Sequence, residues 1–546
     1  MDVEKFRKEG YAAIDSICDY YTNLASRPVK AQVEPGYLIE QLPEEAPDIG
    51  EPFEDISADF QSLIMPGTPQ HLRGRVPTAH RSGITHWQHP KFFAYFPAMT
   101  NFESILGELY SASVSNPGFN VSTGVCWSIS RSHSTLIPEW ICSPACTELE
   151  QVVLDWMANI LGLDNRFHTK SGVGGGVIMG SASESCLTAA IAARERALRR
   201  LASTASDEKP CAIVPGSDIP DTIREKYGQK LVVYGSTQTH SIGAKTALLL
   251  GLLFRALPVS KEDDYAFRGK TLQAAMERDI AAGLIPFFVV ATVGTTSTGA
   301  VDCIAEIGEV LKSFPTAFLH VDAAWAGVAY ALPECRVKLR LQELNLYADS
   351  FCTNCHKWGL TGFDCSLLFV RDRKDLTDAL DVTPSFLRSK QGDEGSVIDY
   401  RNWQIALGRR FRSLKLWFVL RSYGVSGFKT HLSVGITQCT QLANRVKASA
   451  NFEIVTPPSL ALLVFRLRPS MDSTIGDAEL NLLNQKLHIR LSGRHDVMLT
   501  QTMLHSEETE IFCIRIALGG RATTMEDVNA VWDVVEAEGR AVMDEA

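Results

Sequence analysis

A lysine that forms a covalent bond must first lose its proton, and Lys357 stands where that is achievable. It lies in Asn354-Cys355-His356-Lys357-Trp358, shortly after Ser350-Phe351. An apolar, aromatic setting penalises the ammonium, lowers the pKa and frees the amine to condense with an aldehyde as a Schiff base. Upstream, Phe318-Leu319-His320-Val321-Asp322-Ala323-Ala324-Trp325 reads as an apolar strand ending in a carboxylate followed by small residues. Ligands of open α/β sheets sit beyond the carboxyl ends of strands, so Asp322 is predicted to face a site. A carboxylate there needs a cationic partner. A pyridinium nitrogen would serve, because an ion pair keeps it protonated and makes the ring an electron sink. The plainer alternatives are a capping aspartate at a strand-to-loop junction and a solvated lysine.

Three further places could serve the same chemistry. Ile178-Met179-Gly180-Ser181-Ala182-Ser183-Glu184-Ser185 enters a helix rich in Ala and Leu, and backbone N–H groups at a helix start can hold a phosphate. Taken alone, this string is as well explained by a serine N-cap. His240 follows an apolar run and could stack on a ring, although a lone histidine is more often structural. Thr296, in Gly294-Thr295-Thr296, is by itself a loop residue after a strand. Cys352-Thr353-Asn354-Cys355-His356 spells the haem-attachment pattern C-x-x-C-H. Haem is disfavoured without an export signal, and zinc without a second ligand pair at a recognisable spacing, so no metal is expected.

The elements that must position these residues follow from hydrophobic periodicity. Helices are predicted over 147–161, 183–201 and 304–312, and strands over 231–234, 286–293, 317–321 and 366–370. Short apolar strands between amphipathic helices indicate an α/β unit with a mostly parallel sheet. Before it, apolar positions at Ile14, Ile17, Tyr21 and Leu24 and a Pro-rich passage from 33 to 52 predict a helical wrap. After it, a long helix through 411–421 and strands over 460–467 and 510–517 predict a smaller α+β unit. The divisions are placed at 1–103, 104–402 and 403–546.

The chain has 546 residues, 45% of them hydrophobic and 21% charged, and a formal net charge of −10. Those values describe a globular protein and argue against nucleic acid or an anionic membrane as partner, leaving a small molecule. The mixed-charge N-terminus lacks the apolar core of a secretory signal, which predicts a cytoplasmic protein. The 13 cysteines are scattered and odd in number, so free thiols are expected.

Together, in order and wording, these segments resemble the pyridoxal-phosphate (PLP) dependent aromatic L-amino-acid decarboxylases. Further matching text is Thr85-His86-Trp87, Phe92-Phe93-Ala94-Tyr95-Phe96-Pro97, Ser143-Pro144-Ala145-Cys146-Thr147-Glu148-Leu149-Glu150 and Asp399-Tyr400-Arg401. The resemblance implies PLP fold type I, the aspartate-aminotransferase-like fold, and a homodimer with active sites at the subunit interface. It implies Lys357 as the cofactor-bearing lysine, Asp322 as the pyridinium partner and His240 as the stacking residue. Ala182, Ser183 and Asn354 would bind the phosphate, with Thr296, Ala324 and His356 also lining the cofactor. Trp87, Tyr95, Phe96 and Pro97 would line the substrate pocket, and the mobile loop of the family corresponds to about 382–396.

The chain departs from the pattern in places. The family has a tyrosine on that loop to deliver a proton, whereas this chain has Phe386 in Pro384-Ser385-Phe386-Leu387. Phenylalanine there resembles the aromatic aldehyde synthases, which decarboxylate and then let dioxygen oxidise the carbanion to aldehyde, ammonia and peroxide. The alternative is that His240 or water supplies the proton and the product is an amine. Gly408 resembles relatives that accept indole, favouring tryptophan while leaving phenylalanine, tyrosine and dihydroxyphenylalanine open. Stretches 68–83 and 121–139 interrupt the matched text, and read either as retained short introns or as surface loops.

Overall fold

The computed structural model describes all residues except 44–45, 66–82, 117, 119–142, 206–218, 382–397, 470–474, 506–509 and 546. Phe386, the 382–396 loop and nearly all of both interrupting stretches therefore lie outside the described residues.

A seven-stranded sheet forms the centre. Its strands are β1 (Gly175–Met179), β2 (Leu231–Ser236), β3 (Leu253–Leu257), β4 (Ile285–Thr292), β5 (Phe318–Asp322), β6 (Ser350–Asn354) and β7 (Ser366–Val370), in the order β1-β7-β6-β5-β4-β2-β3. β7 runs antiparallel to both β1 and β6, while the pairings among β3, β2, β4, β5 and β6 are parallel. β4 and β5 are buried throughout or nearly so, which explains the lack of apolar–polar alternation with solvent in them: a parallel strand covered on both faces has no solvent side.

Sequence periodicity locates the helices well. Ala182–Ala205, Ile304–Leu311 and Pro144–Leu161 lie within a few residues of expectation. Three strands escaped it for physical reasons. β1 begins Gly-Gly, β3 is a half-exposed edge carrying Arg255, and β6 is short and polar at both ends. The expected helix through 411–421 continues to Ala448, broken in direction at Gly424, whose φ of 63° only glycine adopts without strain.

A second sheet, β8 (Phe452–Ile454), β9 (Leu462–Leu467), β10 (Thr500–His505) and β11 (Glu510–Ala517), is antiparallel in the order β10-β11-β9-β8. Helix Met525–Asp544 packs on it through Trp532, whose ring meets Phe452 and Phe465 at 5.0 and 5.4 Å, and starts with a Thr524–Asp527 capping box. The N-terminal helix Val3–Thr22, capped by Asp2, leaves Phe6, Tyr11, Ile14 and Ile17 exposed. Among the described residues no helix is long and apolar enough to cross a membrane.

Candidate active site

The carboxyl ends of neighbouring strands converge on one region. β5 ends at Asp322, and β6 ends at Asn354 and passes directly into the turn Cys355–Trp358 that carries Lys357. The β5–β6 register sets Asp322 opposite Cys352, five residues before Lys357, at the strand end from which the Lys357 turn departs. Burial of its amine is the largest effect and lowers its pKa; Arg515 adds to this, while Asp322 and Cys352 oppose it. The sheet thus supplies the condition the sequence asked for, an amine that loses its proton more readily than a solvated lysine.

Asp322 is 4% exposed. Both hydrogen bonds it accepts fall on Oδ1, from the Ala324 amide at 2.9 Å and the Cys352 thiol at 3.8 Å, which leaves Oδ2 for another donor. Behind it, the buried His320 meets Ser350 Oγ through Nδ1 at 2.7 Å and Cys352 Sγ through Nε2 at 3.6 Å. Burial pushes the His320 pKa down to about 4, so its ring is neutral near pH 7.

His240 is an exposed residue just beyond β2. Desolvation by its surroundings is the largest effect lowering its pKa, with Lys357 adding and Asp322 opposing, so these three groups sense one another electrostatically. Its Nδ1 accepts the Ile242 amide at 3.3 Å, which places the proton of the neutral ring on Nε2. Thr296 is half-buried in the loop after β4. That loop turns at Gly294, where φ is 80° and a Cβ would come within 2.5 Å of Ala326. Ala324 is also half-buried, and its carbonyl accepts the Asn354 amide at 2.9 Å. Asn354 is 3% exposed, and its Oδ1 has no hydrogen-bond partner.

At the start of helix Ala182–Ala205, Ser181 Oγ accepts the Glu184 amide and Glu184 reaches back to the Gly180 amide at 2.7 Å. The amides of Ala182 and Ser183 take no hydrogen bond from the described residues, as befits the first turn of a helix. The carbonyl-side pin is His356, whose Nδ1 accepts the Cys365 amide at 2.8 Å and whose carbonyl accepts the Met99 amide at 2.8 Å.

That last bond helps set the aromatic side. Segment 92–99 is stitched between the two sheets: Phe93 bonds Met498 and Ala517, the Tyr95 amide donates to Thr500 Oγ1, and Met99 bonds His356. The result puts the Phe96 ring 5.4 Å from Lys357 Nζ and stacks it on Trp325 at 4.5 Å, with Trp358 next at 5.6 Å from Trp325. Pro97 is buried beside it. Trp87 and Tyr95, exposed by 41% and 49%, stack on each other at 5.6 Å. Gly408 is not brought in: it is exposed, with no atom within 4 Å of where a Cβ would stand.

Arg515, on β11, escaped the sequence reading. It is 4% exposed and lies 5.2 Å from the Phe96 ring. Its Nε has no hydrogen-bond partner, and Nη1 and Nη2 reach Thr500 Oγ1 and the Tyr95 carbonyl only at 3.4 Å. Burial pushes its pKa down to about 10, which still leaves it charged at neutral pH. A buried guanidinium with no anionic partner among the described residues is costly, and its position within the apolar run that follows Glu510 in β11 was the available signal.

Comparison with known proteins gives a consistent result. The model of the pyridoxal-dependent decarboxylase conserved domain matches residues 35–468. Phenylacetaldehyde synthase of Arabidopsis thaliana is 39% identical over 98% of this chain and 96% of its own length. Aromatic-L-amino-acid decarboxylase of Catharanthus roseus is 38% identical over 98% of this chain and 94% of its own. The solved structure of Oryza sativa TDC with PLP and tryptamine superposes with a TM-score of 0.83 at 32% identity, covering 100% of this chain and 99% of that one.

Proposed function

The chain belongs to the pyridoxal-dependent decarboxylase family, and from that premise we propose that it decarboxylates aromatic L-amino acids to arylalkylamines. The observation that carries the substrate class is the ring system beside Lys357: Phe96 on Trp325, with the Trp87–Tyr95 stack on the same segment. An acidic side chain would find the apolar faces of Phe96 and Trp325 there, with the nearby Arg515 already taken up by the α-carboxylate in this reading. A flat aromatic one finds partners at stacking distance.

The residues present fit pyridoxal phosphate. The amides of Ala182 and Ser183 and the Nδ2 of Asn354, for which no hydrogen bond to a described residue is seen, are donors of the kind its phosphate requires, while Asp322 Oδ2 and the amine of Lys357 suit its ring nitrogen and aldehyde. When bound, the cofactor supplies an aldehyde for an amine to join and a positive ring that accepts the electron pair left behind by departing carbon dioxide.

The chain's own residues do the rest. Lys357, with its amine made easier to deprotonate by burial, would hold the cofactor's aldehyde. Asp322 keeps the ring nitrogen positive. Ala182, Ser183 and Asn354 would hold the phosphate, and His240, Ala324, Thr296 and His356 would line the ring. Arg515, whose Nε is unused and whose two other contacts are long, would offer its guanidinium to the substrate carboxylate and so align the bond to be broken. His240 Nε2–H is the proton donor within the chain for the carbon that loses the carboxylate.

A second copy completes the site in this reading. Among the described residues nothing packs on Gly408 or covers Phe6, Tyr11, Ile14 and Ile17 of helix Val3–Thr22, so both suit a homodimer in which Gly408 serves the partner's pocket.

A second reading has its own support. Phe386 lacks the phenol of the decarboxylases, and a phenylacetaldehyde synthase is among the similar proteins. Purified protein loaded with PLP and given tryptophan, phenylalanine or tyrosine separates the two. Amine matching carbon dioxide mole for mole supports decarboxylation; aldehyde, ammonia and peroxide in its place support the synthase; no carbon dioxide from any of them overturns both.

A further inference from the structure

Asp322 does not stand alone. Ser350, His320 and Cys352 are each 0% exposed, and they lead to Asp322 through contacts of 2.7, 3.6 and 3.8 Å. An ionised carboxylate only accepts hydrogen bonds, and this fixes the direction of every proton behind it. The Cys352 thiol must donate to Asp322 Oδ1. Its sulfur is then free to accept from His320, so His320 Nε2 carries the ring proton. Nδ1 must therefore accept, and Ser350 Oγ–H donates to it.

We propose that Cys352 is a positioning residue for Asp322, the last donor of a one-way Ser350–His320–Cys352 chain that holds Oδ1 and turns Oδ2 toward the cofactor ring. The proposal rests on the reading of Asp322 as the partner of the ring nitrogen. Three further facts support the chain. Burial and the neighbouring carboxylate push the Cys352 thiol well above its ordinary range, so it keeps its proton. Burial keeps the His320 ring neutral near pH 7. Stacking on Phe288, with ring centroids 5.9 Å apart and planes 17° from parallel, holds that ring in place.

The consequence is electrostatic. A donor on Oδ1 stabilises the ionised carboxylate and lowers its affinity for the proton on the cofactor nitrogen. Removing the donor raises that affinity, draws positive charge out of the ring, and makes the imine nitrogen at Lys357 more basic. The pH midpoint at which the cofactor's visible band changes then moves up.

The test is a spectral pH titration of PLP-loaded wild type, Cys352→Ala and Cys352→Ser, a pair that differs by one hydroxyl. The expected result is an upward shift of about half a pH unit or more in the alanine variant, the scale of one lost hydrogen bond to a charged group, with serine closer to wild type. Ser350→Ala, which removes the far end of the chain, gives a smaller shift in the same direction and covers the case in which Cys352→Ala does not fold. Asp322→Asn is the control. If it moves the midpoint while the Cys352 and Ser350 variants do not, the chain is structural filling and the inference falls. If Asp322→Asn leaves the midpoint unchanged, the reading of Asp322 itself falls.

Discussion

Arg409 and Glu150 form a two-pronged ion pair with side chains 1% and 0% exposed: Nη1 donates to Oε2 at 2.9 Å and Nη2 to Oε1 at 2.5 Å. The pair also ties two segments together. Glu150 Oε1 accepts the Ile178 amide at 2.7 Å, Arg409 Nη2 reaches the Ile178 carbonyl at 3.2 Å, and Arg409 Nε donates to Gln404 Oε1 at 2.8 Å. It thereby fixes β1, which leads into Gly180–Ser183, against the stretch that carries Gly408.

Breaking one half of that pair strands a buried charge. Glu150→Gln or Arg409→Met is expected to cost roughly 3–5 kcal/mol, whereas Glu150→Leu with Arg409→Met recovers much of it because no charge remains to be desolvated. Denaturant unfolding of the three variants measures this. A Glu150→Gln midpoint equal to wild type would show that the pair contributes nothing.

Lys357 is predicted to react as a lysine of lowered pKa. The rate at which cofactor-free protein develops the visible band on adding PLP rises with pH, and its midpoint lies below the ordinary lysine range, because burial favours the neutral amine. Phe96→Ala admits water and moves the midpoint up. Lys357→Ala gives no such band; a band identical to that of wild type would remove Lys357 from the site.

How much of this was legible in the sequence depends on what each residue's neighbours are. Lys357 and Asp322 were legible because strand ends in a parallel sheet share one edge, so two residues distant in the chain could be placed together from pattern alone. Phe96 was legible through resemblance, but its place over Lys357 depends on hydrogen bonds that its segment donates to Met498, Thr500 and His356 and accepts from Ala517, which no local pattern encodes. Cys352 carried a misleading signal, half of a haem motif, whereas its position opposite Asp322 follows from register. β6 itself was missed because Ser-Phe-Cys-Thr-Asn has no apolar run. Gly408 was singled out as a pocket residue, and among the described residues no atom lies within 4 Å of where its Cβ would stand.

Acid should weaken the fold. Burial pushes His86, His320, His356 and His431 down to about 4. A histidine whose folded pKa lies below its unfolded one binds more protons unfolded, so stability rises with pH between the two values and is lost as pH falls from about 6.5 toward 4. Asp302 and Asp375, raised to about 7 and about 6 by burial, act in the opposite sense and offset part of the loss. The expected outcome is a lower denaturant midpoint at pH 5 than at pH 7, with a smaller difference in His356→Gln. Equal midpoints at the two pH values in wild type would contradict it.

Arg515 separates binding of the substrate from binding of the product. The substrate carries a carboxylate that the product amine has lost, and a guanidinium with an unused Nε and two long contacts has capacity for a bidentate partner. Arg515→Gln should therefore weaken the amino acid and leave the amine largely unaffected; cofactor still loads through Lys357, with the loading midpoint moved upward because Arg515 no longer helps to lower the lysine pKa. Loss of one charge-assisted bond corresponds to about 10–100-fold in kcat/KM. Arg515→Lys should recover part of the loss, since a point charge replaces half of a two-pronged contact. The measurement is the binding of tryptophan and of tryptamine to each PLP-loaded variant. Equal weakening of both ligands would mean that Arg515 supports the Phe96 face by packing, and the carboxylate would have to be held elsewhere.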